Sequence, residues 1–221
     1  MRKSVAVMVV AILSAAPVLA TTLANWTFEV SAPISAGPHV AELGLFAASS
    51  FASGFHANPN TVWSSPVGNG SQRSFSSNHW TAGDYYQFTT STLGYENITF
   101  GWDQARSSTG PRVFDLEYSL NGVTFITLVD NYVVLQSTGT GAPGTWTSGT
   151  YLPAYTFAPV AVPAAAANQP IVYFRLTSQE TASSTAGTNR VDNIIIEGTL
   201  IPEPATLALL APGALGMIRR R

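Results

Sequence analysis

"NITFGWDQARSSTGPRVFDLEYSLNGVTFITLVD" (residues 97–130) decides the fold. Ile98, Phe100 and Trp102 alternate with Thr99, Gly101 and Asp103. Phe114, Leu116 and Tyr118 alternate in the same way with Val113, Asp115 and Glu117. A period of two places one set of side chains on a buried face and the other towards solvent, which is the pattern of a half-buried strand. Asn121-Gly122 then separates the second run from "VTFITLVD", and Asn-Gly readily supplies the positive φ angles of a tight hairpin turn.

The same period extends outward in both directions. "WTFEV", "DYYQFTT", "NYVVL", "IVYFRLT" and "VDNIIIEGT" complete a set of about eight predicted strands between Asn25 and Thr199. The segments 136–149, 158–170 and 178–189 are rich in Gly, Ser, Thr, Pro or Ala and read as loops, with one helical turn expected over 164–168. Eight or so strands without regular helices predict an all-β, antiparallel sandwich of jelly-roll-like form.

Composition limits the chemistry. Charged residues make up 10% of the 221 residues, and Lys3 is the single lysine. The net charge is −2, but the stretch 25–199 holds five arginines against eleven acids. Such an acidic body argues against nucleic acid as a partner. The chain has no cysteine, which excludes thiol catalysis, disulfides and cysteine-bound zinc. His39, His56 and His79 have no helix-borne metal spacing, no Gly-x-Ser-x-Gly elbow occurs, and the sequence asks for no cofactor. A Ser-His-Asp set can still assemble across sequence.

Four groups remain as candidate binding residues in the body. Arg112, and Arg190 with Asp192, stand out in a body so poor in cations. A bidentate arginine–carboxylate pair fixing the last strand is the structural reading, and a site for an anionic sugar is the functional one. Asp192 and Asn193 with loop carbonyls could also hold calcium, although no EF-hand loop is present. Trp146, inside "GTWTSG", is the aromatic expected to be exposed for stacking on a sugar ring, whereas Trp102 is expected in the core.

The two ends carry a different kind of information. Arg2 and Lys3 precede an apolar run over 5–13, and Val18-Leu19-Ala20 offers small residues to signal peptidase. Residues 1–20 therefore read as a secretory signal helix cut after Ala20, with Ala24 as the alternative. At the other end, residues 205–218 are uncharged and are followed by Arg219, Arg220 and Arg221. As a helix, fourteen residues reach only about 21 Å against a bilayer core of about 30 Å. The arginines favour the cytoplasmic side, which leaves the body outside.

Pro202-Glu203-Pro204, the short apolar run and the arginine cluster resemble the PEP-CTERM sorting signal of Gram-negative bacteria, here covering residues 201–221. The apolar run is shorter than is usual in that family. The resemblance implies recognition and processing by a membrane protease-transpeptidase, exosortase, after transient insertion of 205–218 in the inner membrane. The body, through segments such as "GWDQARSSTGPRVFDLEYSLNGVTF" and "NRVDNIIIEGT", resembles a sandwich domain of exported bacterial proteins. The expectation is a non-enzymatic protein sorted to the cell surface or extracellular matrix. A carbohydrate-binding module for exopolysaccharide is the alternative, and an accessory domain of a secreted hydrolase is the second.

Overall fold

A computed structural model describes residues 19–202. Residues 1–18 of the signal helix expected over 1–20, with Glu203, Pro204, the apolar run and Arg219 to Arg221, lie outside the described residues. Twelve strands are present: β1 (Ala20–Trp26), β2 (His39–Val40), β3 (Phe51–Phe55), β4 (Trp63–Ser64), β5 (Phe75–Ser77), β6 (Tyr85–Thr90), β7 (Tyr95–Arg106), β8 (Val113–Ser119), β9 (Ile126–Val133), β10 (Thr156–Ala161), β11 (Val172–Ser178) and β12 (Asn189–Leu200). Three short 3-10 turns join them, and no α-helix occurs among the described residues.

The strands form two antiparallel sheets of six. One has the order β10-β7-β12, with β12 flanked on its other side by β5-β4 near its start and by β1 along its later half. The other has the order β2-β3-β6-β11-β8-β9. The chain passes from one sheet to the other at most connections, and β2–β3, β4–β5 and β8–β9 are the neighbours in sequence that also pair. This is the two-sheet antiparallel architecture expected from the period-two pattern.

The inner faces meet in one aromatic core. Phe100 packs against Phe88, Trp102 and Phe174 with ring centroids 5.9, 5.5 and 5.0 Å apart, which ties β7 to β6 and β11 across the sandwich. Trp102 stacks on Phe157 at 4.5 Å, and Phe157 meets Tyr132 of the other sheet at 4.9 Å. These rings bury large apolar areas in the offset and edge-on arrangements that aromatic pairs prefer. Ile98, Phe100 and Trp102 are buried as their alternation requires, and so are Phe114, Leu116 and Tyr118.

Several expectations are corrected. The first strand is Ala20–Trp26 rather than "WTFEV": Leu23, Ala24 and Trp26 are fully buried along β12, and the backbone leaves the strand at Phe28, with φ at 57°, although its ring stays in the core. The sandwich therefore spans Ala20 to Leu200, not Asn25 to Thr199. The segment 158–170 contains most of β10, an edge strand in which Pro159 needs no ladder partner. "VTFITLVD" and "NYVVL" contribute one bulged strand, β9. The Asn121-Gly122 turn is wider than a two-residue hairpin. Ser119 Oγ accepts the Gly122 amide at 3.0 Å, and Asn121 Oδ1 accepts the Val123 and Thr124 amides at 2.9 Å, so the whole of 120–125 forms the loop.

Candidate ligand-binding cleft

The outward-facing residues of β7 are Thr99, Gly101, Asp103 and Ala105, and the last two are covered rather than solvated. In the β7–β12 ladder Asp103 stands directly opposite Asp192, and the two are 1% and 0% exposed. Directly after Asp192 the register of β12 slips, with Asn193 at φ 49°. Bulges of this kind re-aim side chains at functional edges of sheets. Here the bulge lets Asn193 Nδ2 donate to Asp103 Oδ2 at 2.8 Å, while the Asn193 amide donates to Asp192 Oδ1 at 2.8 Å.

The loop 66–73 closes over this pair. Asn69 Nδ2 donates to Asp103 Oδ2 at 2.9 Å and to the Leu152 carbonyl at 3.1 Å, and Asn69 Oδ1 accepts the Leu152 amide at 2.8 Å. The Asn69 amide and Ser71 Oγ approach Asp192 Oδ2 at 2.8 and 2.6 Å. Gly68 is required for the approach, since a Cβ there would lie 2.1 Å from Asp192 Oδ2. Burial and the neighbouring Asp103 push the Asp192 carboxyl up to about 7, against the three donors that favour its charge. The single Ser71 proton is compatible with the neutral form. A protonated Asp192 donates to Ser71 Oγ, which donates in turn to the Arg73 carbonyl 3.0 Å away.

Beside this network lies a cleft of about 470 Å³, within the range of small-ligand sites. Gly101 leaves its floor open, Ile195 and Pro159 form apolar sides, and the ring of Tyr151, half exposed, stands at its rim. Asn25, Asn69, Ser71, Asp103, Thr156 and Asn193 supply its polar groups. Asp103 Oδ1 accepts no hydrogen bond from the described residues, and Asn25 Oδ1 is buried without a partner. Both atoms can accept from a ligand, and no cationic side chain lines the cleft. That arrangement suits a neutral ligand rich in hydroxyl groups better than an anion.

The residues singled out from sequence are dispersed. Trp146 is not exposed: it is 1% accessible, because the loop 136–149 folds down onto Ala105 and Tyr155. The Arg190 guanidinium lies 4.8 Å above its ring and donates to the Val67 carbonyl and Ser137 Oγ. Arg190 thus borders a separate hollow of about 250 Å³ lined by hydroxyls of Ser64, Ser76, Ser107 and Ser137. The expected bidentate pair with Asp192 does not form, since the Asp192 carboxylate is engaged by the 66–73 loop instead. Arg112 is exposed, and its backbone amide is bonded to Glu180. No cluster of three His, Asp or Glu residues that could hold a metal occurs among the described residues.

Sequence reasoning missed Asn25, Asn69 and Tyr151 as cleft residues. A signal was present in "GNG" (68–70), where a polar residue between glycines marks backbone held close to another surface.

A Ser-His-Asp set does assemble. His56 Nε2 is 3.1 Å from Ser77 Oγ, and His56 Nδ1 is 3.5 Å from Asp84 Oδ2. It lies inside the sandwich wall, however. Ser77 is fully buried and also contacts the Tyr86 hydroxyl at 3.1 Å, and Trp80 packs on the imidazole at 4.2 Å. No substrate carbonyl can reach Ser77 without opening the core, so the set serves as a polar lock. Burial lowers the His56 pKa to about 4, so the ring is neutral at pH 7.

No family model matches the sequence, and no curated protein matches it. Solved structures with a similar architecture include the K2 cleaved adhesin domain of Lys-gingipain, at 16% identity and TM-score 0.43, covering 80% of this chain and 98% of that one. The K3 cleaved adhesin domain of Lys-gingipain from Porphyromonas gingivalis W83 gives 16% identity and TM-score 0.47, with coverage of 79% and 98%. The K1 domain from the same organism gives 15% and 0.44, with coverage of 66% and 90%. At these values the likeness assigns neither ligand nor activity to the chain.

Proposed function

We propose that the chain is an exported, non-catalytic sandwich that binds a neutral saccharide in the cleft between β1, β12, β7 and β10. We further propose that residues 201–221 are a PEP-CTERM signal, through which an exosortase-like enzyme delivers the body to the surface or matrix of a Gram-negative bacterium. What carries the binding reading is the buried, unpartnered acceptor Asn25 Oδ1 and the nearby free oxygen Asp103 Oδ1, beside the half-exposed ring of Tyr151. Sugar hydroxyls donate to such oxygens while the ring face covers the sugar's C–H surface.

Affinity electrophoresis against host exopolysaccharide tests the binding. The mature protein is expected to be retarded. Tyr151→Ala removes the rim, Gly101→Val fills the floor, and both are expected to run freely; Trp146→Phe is expected to stay retarded. Unretarded wild type, or loss with Trp146→Phe alone, overturns the cleft assignment. The sorting arm is read from the mass of the mature protein in hosts with and without the sorting protease. Retention of Arg219 to Arg221 in both hosts would end it.

A further inference from the structure

The sandwich has two unlike ends. Ala20 pairs with Thr199, and the Ile201 amide donates to the Gly94 carbonyl at 2.9 Å, so the first and last strands meet the β6–β7 turn at one end. Strand registers bring further connections to the same end: Thr90 faces Val172, and Tyr173 faces Ser119. The segments 91–97, 120–125 and 163–171 therefore all lie there. They expose Leu93, Leu120, Val123 and Ile171, and Leu200 adds one more large aliphatic. Val123 is 83% accessible. Glu96 is the single charged residue in these three segments.

The opposite end is more mixed. Its connections 78–84, 107–112 and 179–188 carry Arg112 and Glu180 and expose no large aliphatic side chain, while Val62, bonded to Asn78, and Leu135, bonded to Arg106, are exposed beside them. Scattered single apolar residues on a surface are ordinary, but five gathered at one end with one charge mark a contact surface.

The spacing to the tail says what that surface meets. Ile201 is fixed to Gly94, and the uncharged run begins at residue 205. Four residues span at most about 14 Å when fully extended. A headgroup layer is about 5–8 Å thick on each side of the hydrocarbon core. A tether of that length keeps the end of the body within about 6–9 Å of the headgroup surface, near enough to settle onto a bilayer that holds its tail. We propose that the apolar end of the sandwich is a lipid-contact surface. While 205–218 is inserted, Leu93, Leu120, Val123, Ile171 and Leu200 lie at the boundary between headgroups and acyl chains. This rests on the tail being membrane-inserted, as the sorting reading requires. With no lysine or arginine in these segments the contact is apolar, not electrostatic. The arrangement also holds Thr21, the first residue after the expected signal cut, and Pro202 at the membrane surface.

The absence of cysteine allows clean labelling of single sites. Leu93→Cys, Val123→Cys, Thr185→Cys and Leu210→Cys variants of the full chain, each carrying an environment-sensitive fluorophore, would be reconstituted in vesicles of phosphatidylethanolamine and phosphatidylglycerol with nitroxide-labelled lipid. Labels at 93, 123 and 210 are expected to shift to the blue and lose most of their emission to the nitroxide; the label at 185 is expected to keep its emission. Quenching at 210 without quenching at 93 and 123 overturns the contact surface alone. No quenching at 210 overturns insertion of the tail and the contact surface with it. A blue shift at 93 and 123 that nitroxide does not quench means that a second copy covers the patch, and the proposal fails.

Discussion

Asp192 is a fully buried carboxyl group set opposite a second one, and its pKa of about 7 makes stability depend on pH in a particular direction. Its unfolded value is near 3.8. Below that value the group is protonated in both states and contributes no pH dependence. Between about 4 and 7 the unfolded chain releases a proton that the folded chain retains, so stability falls as pH rises, by about 1.4 kcal/mol per unit. His56 acts in the opposite sense. Its folded value near 4 lies below the ordinary 6.5, so the unfolded chain binds the extra proton and stability falls as pH drops through the same window. The two slopes largely cancel. Asp192→Asn removes one of them. The stability of this variant relative to wild type is expected to rise by about 3–4 kcal/mol from pH 4 to pH 7, read from urea midpoints at each pH. Parallel curves for the two proteins would show that Asp192 is ionised throughout. None of this was legible from the chain. Asp103 was read correctly as lying on the outward face of its strand, yet its partners Asn69 and Asn193 are 34 and 90 residues away. Trp146 failed for a related reason. In a Gly/Ser/Thr loop there is no periodicity to report burial, and what buries it is the outer face of a strand that the loop only meets after folding.

At the scale of single elements, legibility followed the number of residues available to show a period. The long strands β7, β8, β11 and β12 were found because each offers at least three alternating pairs. β2 and β4 have two residues each and β5 has three, too few for alternation to register. β10 hides its period because most of its residues are exposed at a sheet edge. β1 was masked by its place beside the presumed signal segment, and its position bears on processing. Leu23 and Ala24 are fully buried, and residues 20–22 and 24–26 are all in register with β12. A cut after Ala24 would remove both from the core and leave one edge of β12 unpaired over residues 197–199. A cut after Ala20 would spare every buried side chain. Sequencing of the secreted protein is therefore expected to begin at Thr21. A start at Asn25 would mean that the body folds without the first half of β1, and a loss of several kcal/mol would then have to be visible in the comparison of the two forms.

For the whole molecule the governing fact is that the first and last strands are neighbours. Ala20 and Thr199 are paired residues, so the distance to be bridged between the ends of the body is that of one ladder rung, about 5 Å. A short glycine-containing turn closes such a gap. The segment around Gly139 and Gly141, by contrast, is exposed, and a Cβ at Gly141 would meet nothing within 4 Å, so the chain can be opened there without disturbing packed atoms. A circular permutant that joins Leu200 to Ala20 and begins at Ala142 tests whether the two sheets and their shared core need the terminal segments. Loop closure depends only weakly on where the chain is cut. The permutant is expected to melt in one transition, within about 1 kcal/mol or about 2–4 °C of the mature protein. It should keep the near-ultraviolet dichroism of the buried Trp26, Trp80 and Trp102. Loss of that signal with strand content retained would show that the core packs only when the ends are held from outside. The ends would then belong to the fold as well as to sorting, and the lipid-contact surface would have to be counted among the forces that keep the sandwich closed.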